Sequence, residues 1–343
     1  MSAPTIGGQA VIEGVMMRGP EGYVVAVRRA NGDILVDKRL SVPLSKRRRV
    51  FGWPVIRGML TFFETIVIGL RALMFSADIV AQDGQAEAEK EQAEEGTDDR
   101  SPDAKKEQKT QGIGTAAMAS TLVFALGMGI MLFVVAPNLL LQTVVSEVDY
   151  PLRFNLMSGI LRMLVFVAYL LVISRINDIQ RVFEYHGAEH KTIFAYERGE
   201  ELNTDSARRH GTVHPRCGTS FVMIVLVVSI ILFAPVPVVL KMAVNGFADL
   251  HWGWQKLVII PIHILLLPFI AGLSYEVIRY ASRNEKSRIM GIVLAPALLF
   301  QRITTKEPDE AQLEVALRAL KEVLALRELQ CSEIPLGNGD SPC

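Results

Sequence analysis

The stretch Tyr185-His186-Gly187-Ala188-Glu189-His190-Lys191 concentrates residues able to do chemistry, and the polar interval it opens runs on to His214-Pro215-Arg216-Cys217. Four of the six histidines and one of the three cysteines lie there, between strongly apolar runs. On a helix, His186 and His190 are separated by about 40° and project from one face a turn apart. His186-x-x-Glu189-His190 matches H-x-x-E-H, in which two imidazoles bind one metal ion and the adjoining carboxylate is general base toward the water that the ion activates. A catalytic zinc needs a third protein ligand and an open position. Imidazole and thiolate both suit zinc, so His214 and Cys217 are the candidates. If one binds, the site is open and Glu189 is catalytic. If both bind, four protein ligands close the site into a structural staple and Glu189 supports it from outside. If neither binds, the histidines hydrogen-bond head groups or helix-end carbonyls, and Cys217 is a small buried apolar side chain.

The elements that must hold these residues belong to a membrane protein. Half of the 343 residues are hydrophobic, the mean hydropathy is +0.30, and the apolar residues are bunched into runs long enough to cross a bilayer. The 36 basic and 36 acidic residues cancel, and no base-reading motif is present, so no nucleic-acid partner is expected. Cys217, Cys331 and Cys343 form no C-x-x-C pair and are too scattered for a disulfide framework, which suits a reducing, cytoplasm-facing setting. The first residues lack the basic-then-apolar order of a cleavable signal peptide.

Taken in order, residues 1–52 read as a small β-rich module. Glycines punctuate residues 7–20, and the runs 23–28 and 34–38 flank Asn31-Gly32, a dipeptide suited to a type I′ hairpin turn. Glu13 and Arg18 are either site residues brought close by bare backbone or a surface pair. Lys46-Arg47-Arg48-Arg49 beside Trp53-Pro54 marks anionic head groups. Residues 53–81 are apolar but carry Arg57, Glu64 and Arg71 seven apart, which predicts an amphipathic interfacial helix. Residues 82–112, poor in large apolar side chains, read as a disordered charged linker.

Within residues 113–300, four runs near 113–136, 154–174, 219–242 and 256–278 predict a four-helix transmembrane bundle, with Pro235, Pro237, Pro261 and Pro268 kinking or ending the last two. Residues 289–300 are apolar but too short to span. Residues 301–343 form a cytoplasmic amphipathic helix and tail: Leu313, Ala316, Leu317, Leu320, Val323 and Leu324 follow a helical period after Pro308-Asp309-Glu310. The fold class is therefore mainly α, a membrane bundle with a small N-terminal sheet. Loop 175–218 and the tail after 278 are rich in Arg and Lys, whereas 137–153 carries only Arg153 and 243–255 none. Both termini and the histidine loop should be cytoplasmic. Arg162, His263 and Glu276 are costly in or near the hydrocarbon and are candidates for a transport path, or Glu276 and Arg279 are an orienting pair.

Residues 7–18, 181–191, 214–219 and 271–276 resemble the signature blocks of YqhQ-like bacterial membrane proteins. That resemblance implies a bacterial inner-membrane protein and a metal-dependent enzyme of undefined reaction. The expectation is a multi-pass, metal-dependent hydrolase: Glu189 as base, His186, His190 and His214 or Cys217 as ligands, a divalent ion such as zinc as cofactor, and the lipid bilayer as partner. The rival is a membrane scaffold or transport component whose His/Cys loop is structural.

Overall fold

The computed structural model describes residues 6–94, 115–145, 150–215, 217–284 and 287–333. The chain opens with an antiparallel sheet of β1 (Gly7–Val11), β2 (Gly14–Arg18), β3 (Gly22–Arg28) and β4 (Ile34–Leu40), paired in sequence order. β2 and β3 are apolar at consecutive positions because both faces of the sheet are covered. Val15, Met17, Val24 and Ala26 enter one core, and Met16, Tyr23, Val25 and Val27 enter another. The β3–β4 turn departs from the type I′ expectation. Gly32 takes a φ of 90° while Asn31 keeps an ordinary one, and the Gly32 and Arg29 N–H groups bond the Arg29 and Asp33 carbonyls. This fits a type I turn closed by a glycine bulge.

After single helical turns at Leu44–Arg47 and Arg49–Gly52, the described helices are α1 (Ile56–Glu94), α2 (Thr115–Ile130), α3 (Ala136–Gln142), α4 (Pro151–Ile173), α5 (Asn177–Glu197), α6 (Thr204–Arg208), α7 (Gly218–Phe233), α8 (Val236–Ala243), α9 (Trp252–Arg283), α10 (Arg288–Thr304) and α11 (Glu310–Glu333). A π-helical turn at Met131–Val135 joins α2 to α3. Five helices, not the four expected, are long and apolar enough to cross a membrane: Ile56–Lys90, Val123–Gln142, Leu152–Ile173, Ser220–Ala243 and Gly253–Ala281. The additional one is α1. Its charges do not interrupt it because Arg57 and Glu64 find partners on other elements. α1 also continues through residues 82–94, where a linker was expected; 95–112 lie outside the described residues. Pro235 and Pro237 separate α7 from α8, whereas Pro261 and Pro268 are absorbed within α9.

The sheet lies between two helical layers. On one side it packs against Tyr185, Ala188 and Ile193 of α5 and Leu313, Ala316, Leu320 and Val323 of α11. A capping box starts α11, with Gln312 N–H bonding Asp309 Oδ1 at 2.7 Å and Asp309 N–H bonding Gln312 Oε1 at 2.9 Å. On the other side lie Ile68, Ala72 and Ile79 of α1. Arg18–Glu64 and Arg29–Asp83 ion pairs flank that contact at 2.8 and 2.5 Å. The first turns of α1 meet α9 instead. A Cβ on Gly58 would lie 2.6 Å from the Gly272 carbonyl oxygen, and Arg57 Nη2 reaches both Glu276 oxygens at 2.7 Å. Glu276 is thus tied to α1 by Arg57.

Because the atoms facing Gly58 are backbone, Gly58→Ala should lower stability by roughly 1–3 kcal/mol. Gly84→Ala, in the same helix with nothing within 4 Å, should be neutral or stabilising. Thermal unfolding of the two variants in one detergent checks the contrast.

Candidate metal centre

From Tyr185 to Ile193 every residue of α5 is buried, so the H-x-x-E-H side chains must find their partners inside the protein. His186 Nδ1 lies 2.8 Å from the Thr304 carbonyl oxygen at the end of α10, and His190 Nδ1 bonds the Thr212 carbonyl. A carbonyl can only accept, so in both rings Nδ1 carries the proton and Nε2 presents its lone pair. His186 Nε2 lies 3.1 Å from Cys217 Sγ. His190 Nε2 is buried without a hydrogen bond of normal geometry. One ligand atom each from His186, His190 and Cys217 falls within 4.8 Å of the others. Metal-binding histidines characteristically donate their second ring nitrogen to a carbonyl or carboxylate, as both do here.

Glu189 Oε2 is 4.0 Å from His186 Nε2, and the residue is 3% exposed. It reaches this position because β1 has no side chain at Gly8: a Cβ there would sit 2.8 Å from Glu189 Cδ. Burial pushes the Glu189 carboxyl above the usual range, against the pull of His186, His214 and the Gly8 N–H. Burial also holds the His190 ring below its usual value, with His186 adding to the effect and Cys217 and the Thr212 carbonyl opposing it. A neutral imidazole is the form that ligates a metal.

His214 takes a different place. Its Nε2 lies 3.2 Å from Glu197 Oε2, and its ring sits beside that of His190 with centroids 5.8 Å apart. Gln301 clamps its backbone, accepting from the His214 N–H at 2.8 Å and donating to the His214 carbonyl at 2.8 Å and to Ser220 Oγ at 2.6 Å. Cys217 immediately precedes α7, so the Gln301 clamp at Ser220 and the sulfur position are set together.

Glu13 and Arg18 do not pair with each other and do not enter the group. Arg181 grips both oxygens of Glu13 at 2.6 and 2.5 Å, tying α5 to the β1–β2 turn, while Arg18 serves α1. The residues that sequence reasoning missed are mostly backbone donors and acceptors, or glycines. The Thr212 and Thr304 carbonyls leave no mark on a sequence. Gly187 leaves one: it is a helix-weakening residue between two ligands. A Cβ there would stand 1.9 Å from the Lys306 carbonyl oxygen, so the strap after Thr304 can lie on α5 only because that position is bare.

Residues 53–326 match the family described as "Protein of unknown function (DUF1385)". The chain belongs to that family. It is also 29% identical over 335 residues to "Uncharacterized protein YqhQ" of Bacillus subtilis (strain 168), an alignment covering 95% of this chain and 94% of the relative. The YqhQ-like resemblance of the sequence blocks is therefore correct. No solved structure matches the chain. The DUF1385 match includes His186, Glu189, His190, Cys217 and the Thr304 strap, and it begins after the sheet that supplies Gly8.

Gly187→Ala should displace the strap and open the site, because its clash is with backbone. In a Cys331→Ser, Cys343→Ser background Cys217 is the one remaining thiol. It should react slowly with a maleimide in that parent and much faster after Gly187→Ala; equal rates would show that the strap does not depend on Gly187.

Proposed function

We propose that this DUF1385 protein is a metal-dependent hydrolase of the bacterial plasma membrane, with its His/Cys centre on the cytoplasmic side. The observation that carries the reading is the pair of Nδ1–carbonyl bonds, which turn two Nε2 lone pairs toward the Cys217 sulfur. Two nitrogens and one sulfur are three ligands, the number that leaves a tetrahedral ion an open position. A divalent ion such as zinc would supply Lewis acidity there. His186 and His190 bind through Nε2 and Cys217 through its thiolate. Glu189 would accept a proton from a water beside them, a role that its raised proton affinity suits. His214 is not in the converging group of His186, His190 and Cys217, which favours three ligands over the four-ligand staple.

The orientation follows from which parts share a core. The sheet, α5 and α11 pack together, so the segments before α1, between α4 and α7, and after α10 lie on one side of the membrane. An even number of crossings must then separate Leu40 from Asn177, yet α1, the Val123–Gln142 helix and the Leu152–Ile173 helix make three candidates. α1 is the one to set aside, because one of its faces is docked on the sheet. Its other face exposes Phe63, Ile66, Val67, Leu70, Leu73 and Met74, beside exposed Arg48, Arg49 and Trp53. That is the composition of a helix lying in the membrane surface, with four helices crossing. The basic loop 175–218 supports a cytoplasmic assignment of the shared side.

Metal analysis of the purified chain should find about one zinc per molecule, lost in His186→Ala, His190→Ala and Cys217→Ser and kept in His214→Ala. Glu189→Gln should keep the ion and lose turnover against a panel of esters, amides and phosphoesters. Loss of metal in His214→Ala together with a four-ligand X-ray absorption signature would establish the structural staple instead. A nitroxide at position 70 should report a shallow depth and one at position 265 a depth near the bilayer centre; equal deep values would make α1 a fifth crossing.

A further inference from the structure

A second polar site lies inside the membrane bundle, apart from the His/Cys centre. A cavity of about 360 Å³ opens between α4, α7 and α9 and the π-helical turn, bordered by Arg162, Ser158, Ser229 and His263 on its polar side. Arg162 is twelve residues into α4, within an apolar run, where a guanidinium is costly unless something neutralises it. Among the described residues it makes no ion pair. Its Nη2 donates to Asn138 Oδ1 at 3.1 Å, an oxygen that also accepts from Ser158, and its Nε is buried without a partner. His263 Nε2 is likewise buried and unpartnered, while the ring stacks on Phe233 at 4.3 Å. Two orphaned polar atoms and an unneutralised cation thus border one space, and Glu276, the third candidate for a polar path, is held elsewhere by Arg57. The remaining wall is apolar and aromatic, including Phe133, Phe166 and Phe233. Phe133 stands in the π-helical turn, a distortion that recurs where a helix borders a functional site.

We infer that this cavity binds the anionic head, a carboxylate or a phosphate, of an amphiphile with an acyl chain. Arg162 is its counter-ion, the polar side of Ser158, Ser229 and His263 surrounds the head, and the aromatic wall takes the start of the chain. Guanidinium binds both oxyanions through two parallel N–H groups. An apolar wall lets an amphiphile gain where a bare ion would lose its hydration.

The test uses the full chain, delipidated in an uncharged detergent, with oleate and lysophosphatidylglycerol as anionic probes. Monoolein serves as the uncharged control and inorganic phosphate as the headgroup alone. Native mass spectrometry and thermal shift should show at least tenfold tighter binding of an anionic amphiphile than of monoolein, and no shift from phosphate at the same concentration. Arg162→Met should reduce the anionic probes to the monoolein level and, by removing an unpaired charge, should fold with an equal or higher unfolding temperature. Ser229→Phe, which fills the cavity and leaves Arg162 in place, should abolish binding and carries the test if Arg162→Met does not fold. Equal binding of oleate and monoolein, or an anionic preference surviving either variant, would overturn the assignment. Phosphate binding as tightly as lysophosphatidylglycerol would make this a free-anion site and remove the amphiphile.

Discussion

Two backbone carbonyls, those of Thr212 and Thr304, organise the structure around α5. Each accepts from the Nδ1 of a buried histidine, and each belongs to a separate segment: one leads from α6 toward Cys217, the other ends α10. A buried imidazole N–H left unbonded is expensive, so these segments cannot drift from α5 without loss. The consequences reach further than the rings. Holding Thr304 brings Lys306 across Gly187 and delivers α11 to the sheet; holding Thr212 leaves Cys217 at the mouth of α7 with its sulfur against His186. The sheet module and the apolar helices are therefore joined at the place where the candidate ligands meet.

Glu189 is the exposed point of that arrangement in an energetic sense. Its carboxyl is buried between β1 and the imidazoles, and burial raises its proton affinity even with two histidines and one N–H nearby. A carboxylate placed only for stability would be better replaced by an uncharged residue, since burying an incompletely paired charge is unfavourable. That position is the one the proposed base role would require. The bare Gly8 and the absence of other bulk on that side serve the same end by letting the carboxyl approach.

What could be read from the sequence divides along a physical line. Period and punctuation carried the strands, the capped start at Asp309 and the helical placement of His186 and His190, because these depend on neighbouring residues alone. Cys217 and His214 could not be separated by residue type; that Cys217 stands with the two histidines depends on how the loop is clamped by Gln301, a distant partner that no local pattern names. The α1 charges misled for a related reason. Arg57 and Glu64 look like interruptions in an apolar run until Glu276 and Arg18 are seen opposite them. The Arg57 partner of Glu276, 219 residues away in the chain, could not be named from local spacing. Residues 82–94 look like linker by composition because the helix that contains them is started elsewhere, by residues docked on the sheet.

The two polar centres share α7, and that helix also keeps them apart. It begins directly after Cys217 and ends at Phe233 on the cavity wall, with no proline inside. At 1.5 Å per residue, sixteen residues place the two ends about 24 Å apart, most of the thickness of the hydrocarbon core. A head group at Arg162 cannot also lie beside Glu189, so the cavity is not the substrate pocket of the His/Cys centre. Under the proposed function, a substrate would reach that centre from the module side or along the exposed apolar face of α1. An amphiphile at Arg162 instead bears on the packing of α4, α7 and α9, and any effect on the metal site has to travel along α7 as movement of its Cys217 end.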